Sequence, residues 1–345
     1  MSAPTRIGVI GAGSLGFHHV RLLREVPGAQ LVGFHEARPE RAAQVERELG
    51  VKAIPSLDEL LSGVDAVTVV VPTPAHHAVA RRALERGVHV LIEKPIASTL
   101  DEADDLLEVS RAKGALVQTG HVERFNRAIR AALPYIDAPR FVESDRLASF
   151  NPRGSDVAVV LDLMIHDIDL VRTLVGGRVD SLAASGVPVL TPSVDIANAR
   201  LTFDTGAVAN ITASRVSRER VRKLRIFQRS GYLSLDLGQG TGDFYRLRGG
   251  LDVAAIASAP RQLEEYMEHI PLVAHDENAE PLRLELESFV AAAQGREPVI
   301  VTGDDGREAL ALALRIMGEI ERSLPELAGA EAGRAGEARR EQPGA

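Results

Sequence analysis

In the stretch LDLMIHDIDLV, residues 161–171, two aspartates and a histidine at helical spacing interrupt a run that is otherwise almost wholly apolar. Over a helix from Val160 to Leu174, Asp162, His166 and Asp169 fall at i, i+4 and i+7 and form one polar stripe. A helix this apolar must be largely enclosed, so the stripe must face a cleft or a partner that satisfies it. Three readings stay open. The histidine is a core residue held by nearby acids; or the three side chains bind a divalent ion, although there is no H-E-x-x-H pattern and no obvious further ligand; or the imidazole, with an ordinary pKa of about 6.5, accepts a proton near neutrality.

A second candidate lies in HVLIEKPIAS, where an apolar strand runs into Glu93 and Lys94 and stops at Pro95. A lysine at the carboxyl end of such a strand points toward the ligand crevice of an open α/β sheet, whereas a plain surface lysine is the alternative. Oxidation of an alcohol by a nicotinamide needs a group to take the hydroxyl proton and a charge to steady the developing alkoxide. Lys94 and His166 suit these two parts. Which of them is the formal base stays open, since a strongly coupled pair titrates as a unit.

The cofactor for such chemistry has its own signature. GVIGAGSLG places Gly11, Gly13 and Gly16 in G-x-G-x-x-G spacing after a strand and at the start of a helix, so that the turn, with Ser14 and Leu15, brings backbone close to a pyrophosphate. Glu36 ends the second strand 20 residues past Gly16, where an acid hydrogen-bonds an adenosine ribose hydroxyl. The alternative is a glycine-tight turn with no ligand. Glu36 favours NAD over NADP by repelling a 2′-phosphate, although Arg38 and Arg41 stand close enough to soften that preference. In VVVPTPAHH, expected at the end of the fourth strand, Pro72 and Thr73 mark an edge that a dinucleotide crosses; His76 is either a cofactor contact or a polar residue in a helix's first turn.

Together GAGSLG, VPTPAHH, EKP and DLMIHDID stand in the order and spacing of the Gfo/Idh/MocA family of NAD(P)-dependent sugar and polyol dehydrogenases, which the chain resembles up to its last twenty or so residues. GHVERFN together with LDLMIHDIDL looks most like the branch that oxidises C3 of UDP-N-acetylglucosamine, ahead of 3-amination for lipid A or surface glycans. The resemblance implies that Lys94 is the family's reactive lysine, His166 its proposed base and Asp162 the acid that positions substrate or histidine. It also implies cofactor contact at Glu93 and Lys94, and substrate contact at Lys94, Arg124, Asn126, Asp162 and His166. Met164 stands where the family usually has glycine, and SDVAVV replaces its glycine-rich approach, both departures bearing on the shape of the sugar pocket. A free-sugar or inositol dehydrogenase of the same family is the alternative enzyme. A non-catalytic NAD-binding sensor is the alternative outside enzymes, and the joint presence of Lys94, Asp162 and His166 argues against it.

These residues require a particular scaffold. From Thr5 to about Gln118 short β-rich runs alternate with helical stretches, predicting a doubly wound parallel sheet, a Rossmann domain over residues 1–120. Residues 121–326 read as an α+β domain in which the helix around Leu161–Val175 precedes about six strands of a large, mainly antiparallel open sheet. One face of that sheet needs cover, and the resemblance implies a homodimer or homotetramer formed through it. Residues 327–345, rich in Ala, Gly and charge without a burial pattern, are expected to be a disordered tail. The segment Arg215–Arg229 holds seven basic residues and one acid; it suits either a diphosphate or a solvated or oligomeric strand surface. Arg124, Asn126, Arg127 and Arg130 offer a second polar cluster for substrate.

Bulk composition narrows the function classes. The 345 residues carry a formal net charge of −8, which argues against broad nucleic-acid or anionic-membrane binding. No apolar run approaches the roughly 20 residues of a membrane span, and MSAPTRIGVIGAG lacks a basic region followed by a long apolar block. With no cysteine at all, disulfides, thiolate metal sites and a cysteine nucleophile are excluded, and the expected compartment is the cytoplasm. No metal is expected.

Overall fold

The computed structural model describes residues 3–151, 157–248, 263–274 and 280–340; the side chains at 263–264 and 324–340 lie outside the description. The chain divides into two compact units, Met1–Arg130 with Ala274–Ala311, and Ala131–Val273 with Leu312–Ala345. The first unit thus runs past the expected end at residue 120 and takes in a segment from far along the chain.

Five strands, β1 (Thr5–Ile10), β2 (Ala29–His35), β3 (Ala66–Val69), β4 (His89–Glu93) and β5 (Val117–Gly120), form a wholly parallel sheet in the order β2-β1-β3-β4-β5. The AVTVVVP run is therefore the third strand, not the fourth. All four residues of β3 are buried, as expected of a strand covered on both faces. The crossovers are α1 (Ser14–Leu23), α2 (Pro39–Leu49) followed by a short α3 (Leu57–Ser62), α4 (His76–Leu84) and α5 (Leu100–Lys113). Local chemistry sets their ends. Thr99 and Glu102 make a reciprocal capping box at the start of α5, and Gly114 closes that helix at φ 64°. Pro39 opens α2 at a position where a missing N–H costs nothing.

The late helix α8 (Pro281–Ala293) explains the discontinuous unit. Its Leu286, Phe289 and Val290 are fully buried in one cluster with Ile7, Val20, Leu23 and Phe34, so it completes the cover over the first sheet. The next helix, α9, spans Gly303–Arg340, so backbone helix continues through most of the expected tail. Ala, Glu and Arg, ten of the fourteen residues from 327 to 340, are strong helix formers and outnumber the three glycines there, a preference that a burial pattern does not register.

Among the described residues the second unit holds eight strands: β6 (Phe141–Leu147), β7 (Val179–Val187), β8 (Ile196–Phe203), β9 (Val208–Ser214), β10 (Val221–Gln228), β11 (Gly231–Asp236), β12 (Thr241–Leu247) and β13 (Met267–Leu272). Their order is β13-β12-β11-β10-β6-β9-β8-β7, and every pairing is antiparallel except β6 with β9. Two strands were not expected. β6 carries Glu143, Asp145 and Arg146 and so lacks an apolar face in sequence, while β13 carries a proline, tolerated because it lies at the sheet edge. The basic segment forms β10, an interior strand. Among the described residues no helix is long and apolar enough to cross a membrane.

Candidate active site

The glycine turn follows β1. Gly11 sits at φ 89°, and a Cβ there would stand 2.5 Å from the Val70 carbonyl oxygen. A Cβ on Gly16 would meet the Gly11 carbonyl oxygen at 1.9 Å, so α1 reaches this position only with glycine. Gly13 differs, since its Cβ would meet only an Arg38 nitrogen at 3.8 Å. It caps α1 with no side-chain hydrogen bond, leaving the helix N-terminus without an internal acceptor. The carbonyls are occupied instead: Arg41 donates to Ala12 at 2.8 Å and to Gly13 at 3.0 Å while lying over the Phe17 ring. Arg41 therefore braces the turn, a role that its place in the sequence does not reveal.

Glu36 lies at the end of this turn's neighbour strand. Its carboxylate accepts from the Ala12 amide at 2.9 Å, and from the Arg38 amide and Nε at 3.1 and 2.9 Å. Burial works to raise the Glu36 pKa, but the Arg38 side chain and the backbone amides of Arg38 and Ala12 outweigh it and hold the group below its ordinary value. The acid is charged at neutral pH. Arg38 is mostly exposed, and its guanidinium is tied to Glu36.

One cleft of about 800 Å³ collects these residues. Of the expected cofactor contacts, Gly11, Gly13, Leu15, Glu36, Arg38, Pro72, Thr73, His76, Glu93 and Lys94 line it, and Ser14 and Gly16 do not. The cleft lies beyond the carboxyl ends of β1 to β4, where the strand order reverses about β1. A bare glycine backbone, an uncapped helix start and a charged acid in one such cleft fit a dinucleotide. Leu57, Val71 and Val79 also line it and supply apolar walls. No sequence signal marked them, because an apolar wall residue looks like any core residue.

His76 is buried at 1% exposure, and its Nδ1 and Nε2 each lie 2.8 Å from a backbone carbonyl, of Pro95 and Val71 respectively. Burial lowers its pKa, more than these carbonyls raise it. Glu93 is buried beside His19, whose Nε2 is 3.2 Å from the carboxylate.

In the second unit the DLMIHDID segment is not one continuous α-helix. Val160–Met164 forms a π-helical turn that runs into α7 (Ile165–Val175). Asp162 and His166 are half-buried and Asp169 is fully buried, so the expected stripe divides into an accessible pair and a core residue. A π turn places more than four residues in one revolution and shifts the phase of the helix after it; such turns recur at functional sites. The intervening Asp167 is a core anion. It accepts from Arg146 of β6 at 2.5 and 3.2 Å and from Ser144 at 2.8 Å. Among the described residues no group of three or more His, Asp or Glu is arranged to hold a metal ion.

The expected substrate pair Arg124 and Asn126 have structural partners in the first unit. Arg124 lies 3.3 Å from Asp305 and donates to the Ile300 carbonyl at 3.3 Å. Asn126 accepts from the Ala128 amide at 3.0 Å, capping α6 (Arg127–Ala132), and donates to Glu123 at 2.9 Å. The basic segment disperses. Arg215 is buried near Asp195 and donates to the Val157 carbonyl, Arg225 pairs with Glu143 at 3.2 Å, and Arg222 and Lys223 are exposed.

Comparison with known proteins agrees with this architecture. The family description "Oxidoreductase family, NAD-binding Rossmann fold" matches residues 5–121, and "GFO/IDH/MocA C-terminal domain" matches residues 136–234. The chain is 39% identical over 320 residues to the UDP-N-acetylglucosamine 3-dehydrogenase of Acidithiobacillus ferrooxidans, covering 92% of this chain and 98% of that protein. A solved structure of that enzyme superposes with a TM-score of 0.84 at 37% identity, over 93% of this chain and 99% of the other. The scyllo-inositol 2-dehydrogenase (NAD(+)) of Bacillus subtilis is 33% identical over 236 residues, 63% of this chain and 69% of that protein.

Proposed function

For a chain that belongs to the Gfo/Idh/MocA family of nicotinamide-dependent oxidoreductases, we propose the oxidation of C3 of UDP-N-acetylglucosamine to the 3-keto nucleotide sugar, with NAD as acceptor. The observation that carries this reading is the 39% identity to the Acidithiobacillus enzyme over nearly both full lengths, above the 33% to the Bacillus inositol enzyme over a smaller share.

A nicotinamide held in this cleft would supply the hydride acceptor for the sugar carbon. The glycine turn and the start of α1 would hold its pyrophosphate, and Glu36 its adenosine ribose through the charged carboxylate. Lys94 at the end of β4 donates a hydrogen bond to the reacting oxygen and steadies its negative charge as the C–H bond breaks. The hydroxyl proton passes to His166, with Asp162 setting the imidazole or the sugar. Asp162 in the π turn and His166 at the start of α7 are both half-buried, beside the buried Met164, Ile165 and Asp167.

Glu36 supports NAD over NADP, because a charged, amide-held carboxylate repels a 2′-phosphate. Purified protein incubated with NAD and UDP-N-acetylglucosamine should form NADH, with a keto acid added to reoxidise tightly held product. Glu36→Ser in the same assay should raise the NADP-to-NAD ratio of kcat/KM by at least about tenfold, or about 1.4 kcal/mol, since it removes the repulsion and frees Arg38. NADH formation from inositols but not from the nucleotide sugar would reject the substrate. An unchanged ratio would reject the role of Glu36.

We further read the protein as a cytoplasmic homodimer or homotetramer formed through the open face of the eight-stranded sheet. On that face Phe141, Phe227, Tyr232, Tyr245 and His269 stack in succession across five strands, with centroids 5.8, 5.5, 4.8 and 4.9 Å apart. Such an aromatic stripe suits a buried interface better than a solvated sheet. Light scattering should give two or four chains, and Tyr232→Glu with Tyr245→Glu should lower that mass; a wild-type monomer would overturn the assignment.

A further inference from the structure

Lys94 is bracketed by two buried histidines that come from different helices. On its amino side Glu93 is only 8% exposed, and its carboxylate faces the Nε2 of His19 on α1 at 3.2 Å; His19 itself is fully buried. The other carboxylate oxygen accepts from the Lys94 amide at 3.3 Å. Gly120 on β5, the register partner of Glu93, makes room for that carboxylate: a Cβ there would stand 2.9 Å from it. On the carboxyl side the Pro95 carbonyl lies 2.8 Å from Nδ1 of His76 on α4, and Nε2 of the same ring lies 2.8 Å from the Val71 carbonyl. One imidazole thus spans from the segment after β3 to the segment after β4. With both ring nitrogens turned to backbone, His76 meets the cleft through its carbon edge.

These contacts bear on the backbone of Lys94. A lysine side chain has four rotatable carbons and points no better than the backbone that carries it, so fixing both neighbouring residues fixes the origin of the side chain and the direction in which it leaves the backbone. A neutral imidazole donates from one nitrogen only, whereas a cationic one donates from both. His76 between two carbonyls therefore draws them together most strongly when it carries a proton, while its burial opposes that state. At Glu93 the opposing burial is outweighed by His19 and by the Lys94 charge, so the carboxylate stays ionised below its ordinary pKa.

We propose that His19 and His76 are positioning residues that aim Lys94 into the cleft by clamping Glu93 and Pro95. The proposal rests on the reading of Lys94 as the group that meets the reacting oxygen. Neither histidine needs to touch substrate.

The test combines turnover with a probe of the lysine itself. In the full-length protein His76→Ala and His19→Ala should each lower kcat by about 100-fold, the loss that a displacement of about 1 Å causes, with sugar KM and NADH affinity within about threefold of wild type. His76→Gln and His19→Gln, which keep one donor, should recover part of kcat, and they carry the test if an alanine variant does not fold. In a Lys94→Ala background either histidine substitution should cause no further loss. Full multiplication of the two losses, or wild-type kcat in the histidine variants, overturns the clamp. Wild-type turnover by Lys94→Ala overturns the role of the lysine instead. Because the chain has only four lysines, reductive 13C-methylation gives a spectrum in which the Lys94 signal is assigned by Lys94→Arg. That signal should move in both histidine variants whether or not a substrate is turned over, and an unmoved signal also rejects the clamp.

Discussion

Lys94→Ala should lower kcat by about 10²- to 10⁴-fold, the range of a lost proton-transfer partner or a lost donor to a developing oxyanion. NADH affinity should change little, because the proposed grip on the dinucleotide lies mostly in the glycine turn, the start of α1 and Glu36. Lys94→Arg keeps the charge but replaces a compact ammonium with a planar fork, so it should restore only a small part of the rate. His166→Ala should cause a loss of the same order, and the double variant should lose little more than either single one if the two groups share one proton-transfer step. Single-turnover measurement of NADH formation separates this chemistry from product release. A Lys94→Ala enzyme within tenfold of wild type in that measurement would remove the lysine from the mechanism.

The second large effect concerns the same DLMIHDID segment but a different residue. Asp167→Ala should destabilise the protein by about 3–5 kcal/mol, because it leaves Arg146 charged in a nearly dry site. Both side chains are at most 4% exposed, and Arg146 and Ser144 together satisfy both carboxylate oxygens. The ion pair joins the middle strand β6 to α7, immediately beside His166, so its loss should lower kcat as well as the midpoint of urea unfolding. Replacing both partners, Arg146→Met with Asp167→Leu, removes the stranded charge and should recover most of the stability. If the single and double variants unfold at the same midpoint, the pair is not what anchors the helix. If Asp167→Ala unfolds like wild type, its carboxylate carries no structural load.

These two residues mark where local pattern stops being informative. Asp162, Asp167 and Asp169 sit within eight positions, and helical phase alone groups Asp162 with Asp169 and leaves Asp167 aside. In the folded protein Asp167 answers to an arginine 21 positions away, and the π turn separates Asp162 from Asp169. The same limit applies to Arg124 and Asn126. Their polar types and their place in GHVERFN point to binding alone, whereas the fold also gives one a pairing with Asp305 and the other a helix to cap.

From its sequence the protein could be read as a dinucleotide-binding α/β unit followed by a large open sheet. Glycine spacing, strand-to-helix alternation and an acid at the end of the second strand are short-range properties, set by backbone sterics and by the alternation of side chains along each element. The residues proposed here as reactive were also singled out there, because a lysine at a strand end and a histidine on an apolar helix stand out against their neighbours. Tertiary structure alone decided the rest. It returned α8 to the first sheet, set β6 between β10 and β9, braced the glycine turn with Arg41 and tied Glu93 and Pro95, the neighbours of Lys94, to His19 and His76. Each of those contacts joins residues distant in the chain, and its partner is chosen by which apolar face needs cover, or which buried charge or backbone group needs satisfying, once the layers pack.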